Sequence, residues 1–151
     1  MKNNLFTQNI AEVQISYSSK VPAKDRLQVK GSKNAADALR LVYPGMEHRE
    51  YFYVLLMNRA NKILGYYQVS SGGISGTVVD QRIVFQAAIK ANASAMILAH
   101  NHPSGQLTPS QADIDLTRKM KAAGEIMDIP VLDHLIMTEE SYYSFADEGL
   151  I

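Results

Sequence analysis

The chain contains no cysteine, which excludes a disulfide framework and any thiolate metal site. It also lacks a charge of one sign: Lys plus Arg and Asp plus Glu number 15 each. A freestanding nucleic-acid binder usually carries a basic excess or stripe, so the zero balance argues against nucleic acid as a partner. No apolar run approaches the roughly 20 residues that a membrane-spanning helix needs. The opening stretch MKNNLFTQNI has no apolar core of a signal peptide. The Gly-rich stretch SGGISG, residues 71–76, carries neither a GxGxxG nor a Walker pattern and is read as a flexible connection, not a phosphate cradle. No repeat or low-complexity tract breaks the chain. What remains is a soluble, cytoplasmic protein whose 151 residues, nearly half of them apolar, fit one domain.

Within residues 1–31, Val13, Ile15 and Tyr17 alternate with Glu12, Gln14 and Ser16, predicting one strand over Ala11 to Tyr17. A helix is predicted from Ser32 as its cap, with Ala35, Ala36, Leu39 and Val42 or Tyr43 on its apolar face and Pro44-Gly45 as its stop. Tyr51 to Asn58 and Ile63 to Ser70 read as a hairpin around Arg59 to Lys62. YFYVLLM is apolar throughout, as a strand covered on both faces would be. Asp80 caps a second helix that turns Ile83, Val84, Ala87, Ala88 and Ala91 inward; a short strand, Ser94 to Ala99, follows. A third helix carries Leu116, Met120, Ala123 and Met127 at helical spacing, with Gly124 weakening its later part. Val131 to Met137 and the tail SYYSFADEGLI supply two last strands. The alternation predicts a single α/β or α+β domain around a central sheet.

The chemistry concentrates in AHNHPSGQLTPSQAD, residues 99–113. In an extended segment residues i and i+2 share a face, so His100 and His102 can address one metal while Asn101 points away. Thr108-Pro109-Ser110-Gln111 reads as a helix start, with Thr at the cap, Pro at the first position and Gln three residues after the cap. Ser110 and Asp113 then lie three apart on one face near the helix N-terminus, where the dipole favours a carboxylate. Two imidazoles and a carboxylate form a donor set suited to catalytic zinc, with a fourth position left for water. A zinc deaminase is excluded, because its ligand set needs cysteine.

His100-x-His102, seven residues, Ser110, two residues and Asp113 resembles the JAMM signature of the JAB/MPN metalloprotease superfamily. HNHPSG followed by PSxxD is similar to its RadC-type bacterial branch. The likeness runs from about the first helix to the C-terminus, which divides the chain into an extension, residues 1–31, and a RadC-like JAB/MPN domain, residues 32–151. It implies a mostly antiparallel central sheet flanked by helices, with cytidine-deaminase-like layering. It implies that His100, His102 and Asp113 bind Zn2+, that Ser110 holds an oxyanion or orients the water, and that an upstream glutamate is the acid/base. Glu50 stands where that pattern has it, with Glu47 as the neighbouring candidate. The implied reaction is zinc-dependent hydrolysis of an amide, with a peptide or a ubiquitin-like or sulfur-carrier-like protein as substrate. Longer RadC-type proteins carry an N-terminal helical region suggestive of DNA binding; no helix-hairpin-helix pattern is visible in residues 1–31 here.

Two other readings stay open: a DNA-associated protein of repair or a mobile element whose metal site is structural or nuclease-like, and a non-catalytic MPN scaffold. Asn101, Pro103, Ser104 and Gly105 read as loop-shaping. Asp133-His134 reads as a satisfied buried pair or a support to the metal ligands. His48 reads as a solvated surface residue, and Tyr51, Tyr53, Tyr66 and Tyr67 as sheet packing.

Overall fold

The computed structural model describes residues 10–73 and 76–151. Three α-helices and five strands follow in the order α1 (Ser32–Arg40), β1 (Tyr51–Met57), β2 (Ile63–Ser71), α2 (Gln81–Lys90), β3 (Ala95–Asn101), α3 (Gln111–Ile126), β4 (Val131–Met137) and β5 (Tyr142–Ser144). The strands form one mixed sheet in the order β2-β1-β3-β4-β5. β1 runs antiparallel to both β2 and β3, β3 and β4 are parallel, and β4 and β5 are antiparallel. The parallel pair requires a crossover, and α3 supplies it.

Strand alternation divides the core between the two faces. Tyr53, Leu55, Met57, Ile97, Ala99, Leu135 and Met137 pack with Ala35, Ala36 and Leu39 of α1. Phe52, Val54, Leu56, Met96 and Leu98 pack on the other face with Val84 and Ala88 of α2 and Met120 of α3. β1 and β3 are therefore apolar at nearly every position, as a strand sandwiched between helices must be. Each fully buried large side chain here contributes roughly 1.5–3 kcal/mol of transfer free energy.

Several local expectations are corrected. Ala11 to Tyr17 forms no strand; its residues are exposed, and Tyr17 hydrogen-bonds the sheet through its hydroxyl, which donates to the Leu64 carbonyl at 3.1 Å. Alternation alone does not make a strand, because an unpaired ladder leaves its backbone groups to water. α1 ends at Arg40, before the Pro-Gly stop, and its cap position is Gly31; the Ser32 hydroxyl donates instead to Asp147 at 2.6 Å. Tyr66 and Tyr67 lie on an edge strand and are exposed. Of the Gly-rich connection, Ile74 and Ser75 fall outside the described residues. A Cβ on Gly72 would overlap the Gly76 carbonyl and the Thr77 backbone, so this turn admits only glycine there.

Gly124 does not interrupt α3, which continues to Ile126. It lets the helix approach the chain leading into β4: a Cβ would stand 2.6 Å from the Ile129 carbonyl oxygen. Among the described residues no helix is long and apolar enough to cross a membrane.

Candidate metal centre

β3 runs through His100 to Asn101, two residues beyond the sequence reading, and so delivers two consecutive side chains to opposite faces. His100 is 1% exposed on the α2 and α3 side. Its ring lies parallel to that of Phe52, 6.0 Å between centroids, which fixes its plane. His102 follows the strand end, its N–H donating to the Met137 carbonyl of β4 at 3.1 Å. The loop then turns back through Gly105, whose φ of +78 suits glycine, and the Gln106 carbonyl accepts from His102 Nδ1 at 2.7 Å. In the neutral His102 ring that bond leaves Nε2 as a bare lone pair.

α3 begins two residues later than Thr108-Pro109 suggests. Its cap is Ser110, whose Oγ accepts from the Asp113 N–H at 3.1 Å while the Asp113 carboxylate accepts from the Ser110 N–H at 2.7 Å. This reciprocal box leaves Asp113 Oδ1 facing the histidines. Ser110 Oγ serves as the cap by accepting, and its hydroxyl proton has no acceptor among the described residues.

Donor atoms of three residues converge, with both Asp113 oxygens facing the rings: His100 Nε2 to His102 Nε2 is 3.0 Å, His100 Nε2 to Asp113 Oδ1 is 3.2 Å, and His102 Nε2 to Asp113 Oδ2 is 3.5 Å. Zn–N and Zn–O bonds near 2.0–2.1 Å at tetrahedral angles separate ligand atoms by about 3.3 Å, so this triangle already has the size of one zinc coordination face. Lone pairs this close repel one another unless a proton or a metal cation sits between them. The donor set and its spacing fit the metal.

The charges agree. Burial alone would raise the Asp113 carboxyl, but the His100 and His102 rings beside it outweigh that and hold the group far below the carboxylate range. The hydrogen bond that His102 donates to Asp113, with help from the one to the Gln106 carbonyl, raises His102 above an ordinary imidazole despite its burial.

Glu50, just before β1, is half-buried beside this triangle, whereas Glu47 is exposed. Desolvation raises Glu50 above the ordinary glutamate value; the His100 and His102 charges oppose that and the Asp113 charge adds to it. Its backbone continues the β1–β2 ladder, with its N–H on the Gly73 carbonyl at 3.2 Å and its carbonyl accepting from Gly72 at 2.8 Å.

Three supporting residues complete the centre. Asn101 is fully buried and grips the loop of Glu50 rather than its own loop. His134 is fully buried on β4, 2.8 Å from His100 Nδ1 through its Nε2 and 2.6 Å from Thr117 Oγ1 through its Nδ1. Its ring stacks on Phe145 at 4.8 Å. Asp133 points the other way, accepting from Ser144 and from the Ala146 and His134 N–H groups, so the two side chains are no pair. Thr117 was not marked by the sequence reading; its signal was the position one turn after Asp113 on the same helix face. His48 is exposed. An apolar groove of about 720 Å³ beside edge strand β2, lined by Leu41, Ile63, Tyr67 and Ile83 among others, shares no residue with the triangle.

A family model described as a RadC-like JAB domain matches residues 29–150. A UPF0758 protein of Flavobacterium johnsoniae is 49% identical over 130 residues, covering 85% of this chain and 57% of the relative. One from Pelobacter propionicus is 50% identical over 103 residues, 68% of this chain and 45% of the relative. The UPF0758 protein YfjY of Escherichia coli is 45% identical over 117 residues, 78% of this chain and 72% of the relative. The chain thus spans about half the length of the first two.

Proposed function

The chain belongs to the RadC-like JAB domain family, and from that premise we propose that it is a zinc-dependent hydrolase of the JAMM type that cleaves an amide bond. One observation carries the reading: His100, His102 and Asp113 converge at zinc spacing beside a half-buried glutamate. His100, His102 and Asp113 hold the metal. When bound, zinc supplies Lewis acidity, making water nucleophilic near neutral pH and polarising a carbonyl.

The side chains do the rest. Glu50 takes the proton of the attacking water and passes it to the leaving nitrogen; its raised pKa brings it closer to the working pH of a general base. Ser110 keeps its hydroxyl proton free while its oxygen caps α3, so it can donate to the oxyanion that forms as water adds. The substrate is a peptide or isopeptide amide, such as one at the C-terminus of a ubiquitin-like or sulfur-carrier-like protein.

Elemental analysis and a cleavage screen test this together. We expect about one zinc per chain, lost in His102→Ala, and a Glu50→Gln protein that keeps its zinc and loses cleavage. A wild-type protein that cannot be loaded with zinc sinks the reading; zinc-dependent cleavage surviving in Glu50→Gln removes Glu50 as the base.

A further inference from the structure

We propose that Thr117 and His134 are positioning residues that fix the tautomer of His100 and so aim its bare Nε2 at the metal. The inference rests on the zinc reading above and adds two residues outside the ligand set.

The order of protons follows from one group that can only accept. The Asp113 main-chain carbonyl lies 2.6 Å from Thr117 Oγ1, so the single hydroxyl proton of Thr117 points to it. Thr117 Oγ1 must then meet His134 Nδ1, also 2.6 Å away, as an acceptor, and His134 Nδ1 carries a proton. His134 is fully buried between Phe52 and Phe145, and among the described residues its ring nitrogens meet only His100 and Thr117, so no carboxylate is there to balance a charged ring and the ring is neutral. A neutral imidazole has one N–H, so His134 Nε2 is bare and accepts from His100 Nδ1 at 2.8 Å. His100 is left with its lone pair on Nε2, the atom 3.2 Å from Asp113 Oδ1.

The chain begins and ends on one residue. The Asp113 carbonyl sets the proton order, and the Asp113 carboxylate shares the triangle that the order prepares. Reversing it would place an N–H where the metal belongs. Partners of this kind commonly alter metal affinity by about 10–100-fold when removed.

The test uses the full chain, zinc ion and a chromophoric chelator, with wild type, Thr117→Ser and Thr117→Val. Thr117→Ser is expected to keep wild-type affinity and Thr117→Val to lose about 10–100-fold. Imidazole nitrogen shifts of wild-type protein, metal-free and zinc-loaded, are expected to show His134 protonated on Nδ1 alone; this readout needs no variant to fold. His134 protonated on Nε2, or Thr117→Val binding zinc as tightly as wild type, overturns the inference and leaves the zinc site standing. Wild-type protein that takes up no zinc overturns the site and this inference with it.

Discussion

Asn101 holds Glu50 by the backbone on either side of it. Its Oδ1 accepts from the Tyr51 N–H at 2.8 Å, and its Nδ2 donates to the Arg49 carbonyl at 2.9 Å and to the Met46 carbonyl at 2.8 Å. Strand alternation puts His100 on one face of β3 and Asn101 on the other. Two adjacent residues thereby fix a proposed metal ligand and the segment that carries the proposed base.

Replacing Asn101 with Leu keeps the volume and removes all three bonds. Leaving Tyr51 N–H, Arg49 O and Met46 O without this partner is expected to cost about 2–4 kcal/mol in urea unfolding, less than their sum because Arg49 is open to water. The ligand triangle does not depend on those bonds, so zinc affinity is expected to stay within about threefold while cleavage falls about 10²-fold from a displaced Glu50. Unchanged cleavage in a folded, zinc-loaded Asn101→Leu protein would show that the loop holds Glu50 without help.

Zinc binding should depend on pH through His102. The bond to Asp113 raises His102, so in the metal-free protein it keeps its proton above the ordinary imidazole pKa of 6.5. Zinc must displace that proton, and apparent affinity therefore falls as pH drops through the raised value. Asp113, held far down, stays a carboxylate and adds no limb of its own in this range. Chelator competition between about pH 5.5 and about 8.5 should show the decline setting in above the ordinary imidazole value. An affinity that is flat down to about pH 6 would contradict the raised His102.

The convergence of His100, His102 and Asp113 was legible because it is local. A two-residue repeat on a strand and a three-residue repeat at a helix start place side chains without reference to the rest of the chain. The start of α3 was displaced because Thr108-Pro109 and Ser110-x-x-Asp113 both look like caps; the carboxylate that reaches back to its own cap N–H decides between them. The exposure of Tyr66 and Tyr67 depends on which strand ends the sheet, and the missing strand at residues 11–17 on whether a partner strand exists; neither is written locally. His134 needs the parallel β3–β4 register, with Leu98 opposite it, before its ring can meet His100. The sequence offered it as half of a buried Asp133-His134 pair or as a support to the metal ligands, without deciding between the two.

The proposed mechanism gives the Ser110 hydroxyl a second role beside its cap, and two substitutions separate them. Its oxygen caps α3 and, in the proposed mechanism, its hydrogen serves the oxyanion. Ser110→Ala removes both and should cost about 1 kcal/mol of stability, whereas Ser110→Gly removes the hydroxyl yet caps well enough to cost only a few tenths. An oxyanion donor is worth about 10²–10³ in kcat. If the hydroxyl acts on the transition state, the two variants lose that factor equally while their melting temperatures differ. If Ser110 only caps, cleavage instead follows stability, and the glycine variant stays close to wild type. The comparison is read at a temperature where both variants are fully folded and zinc-loaded, so that loss of rate cannot come from loss of protein.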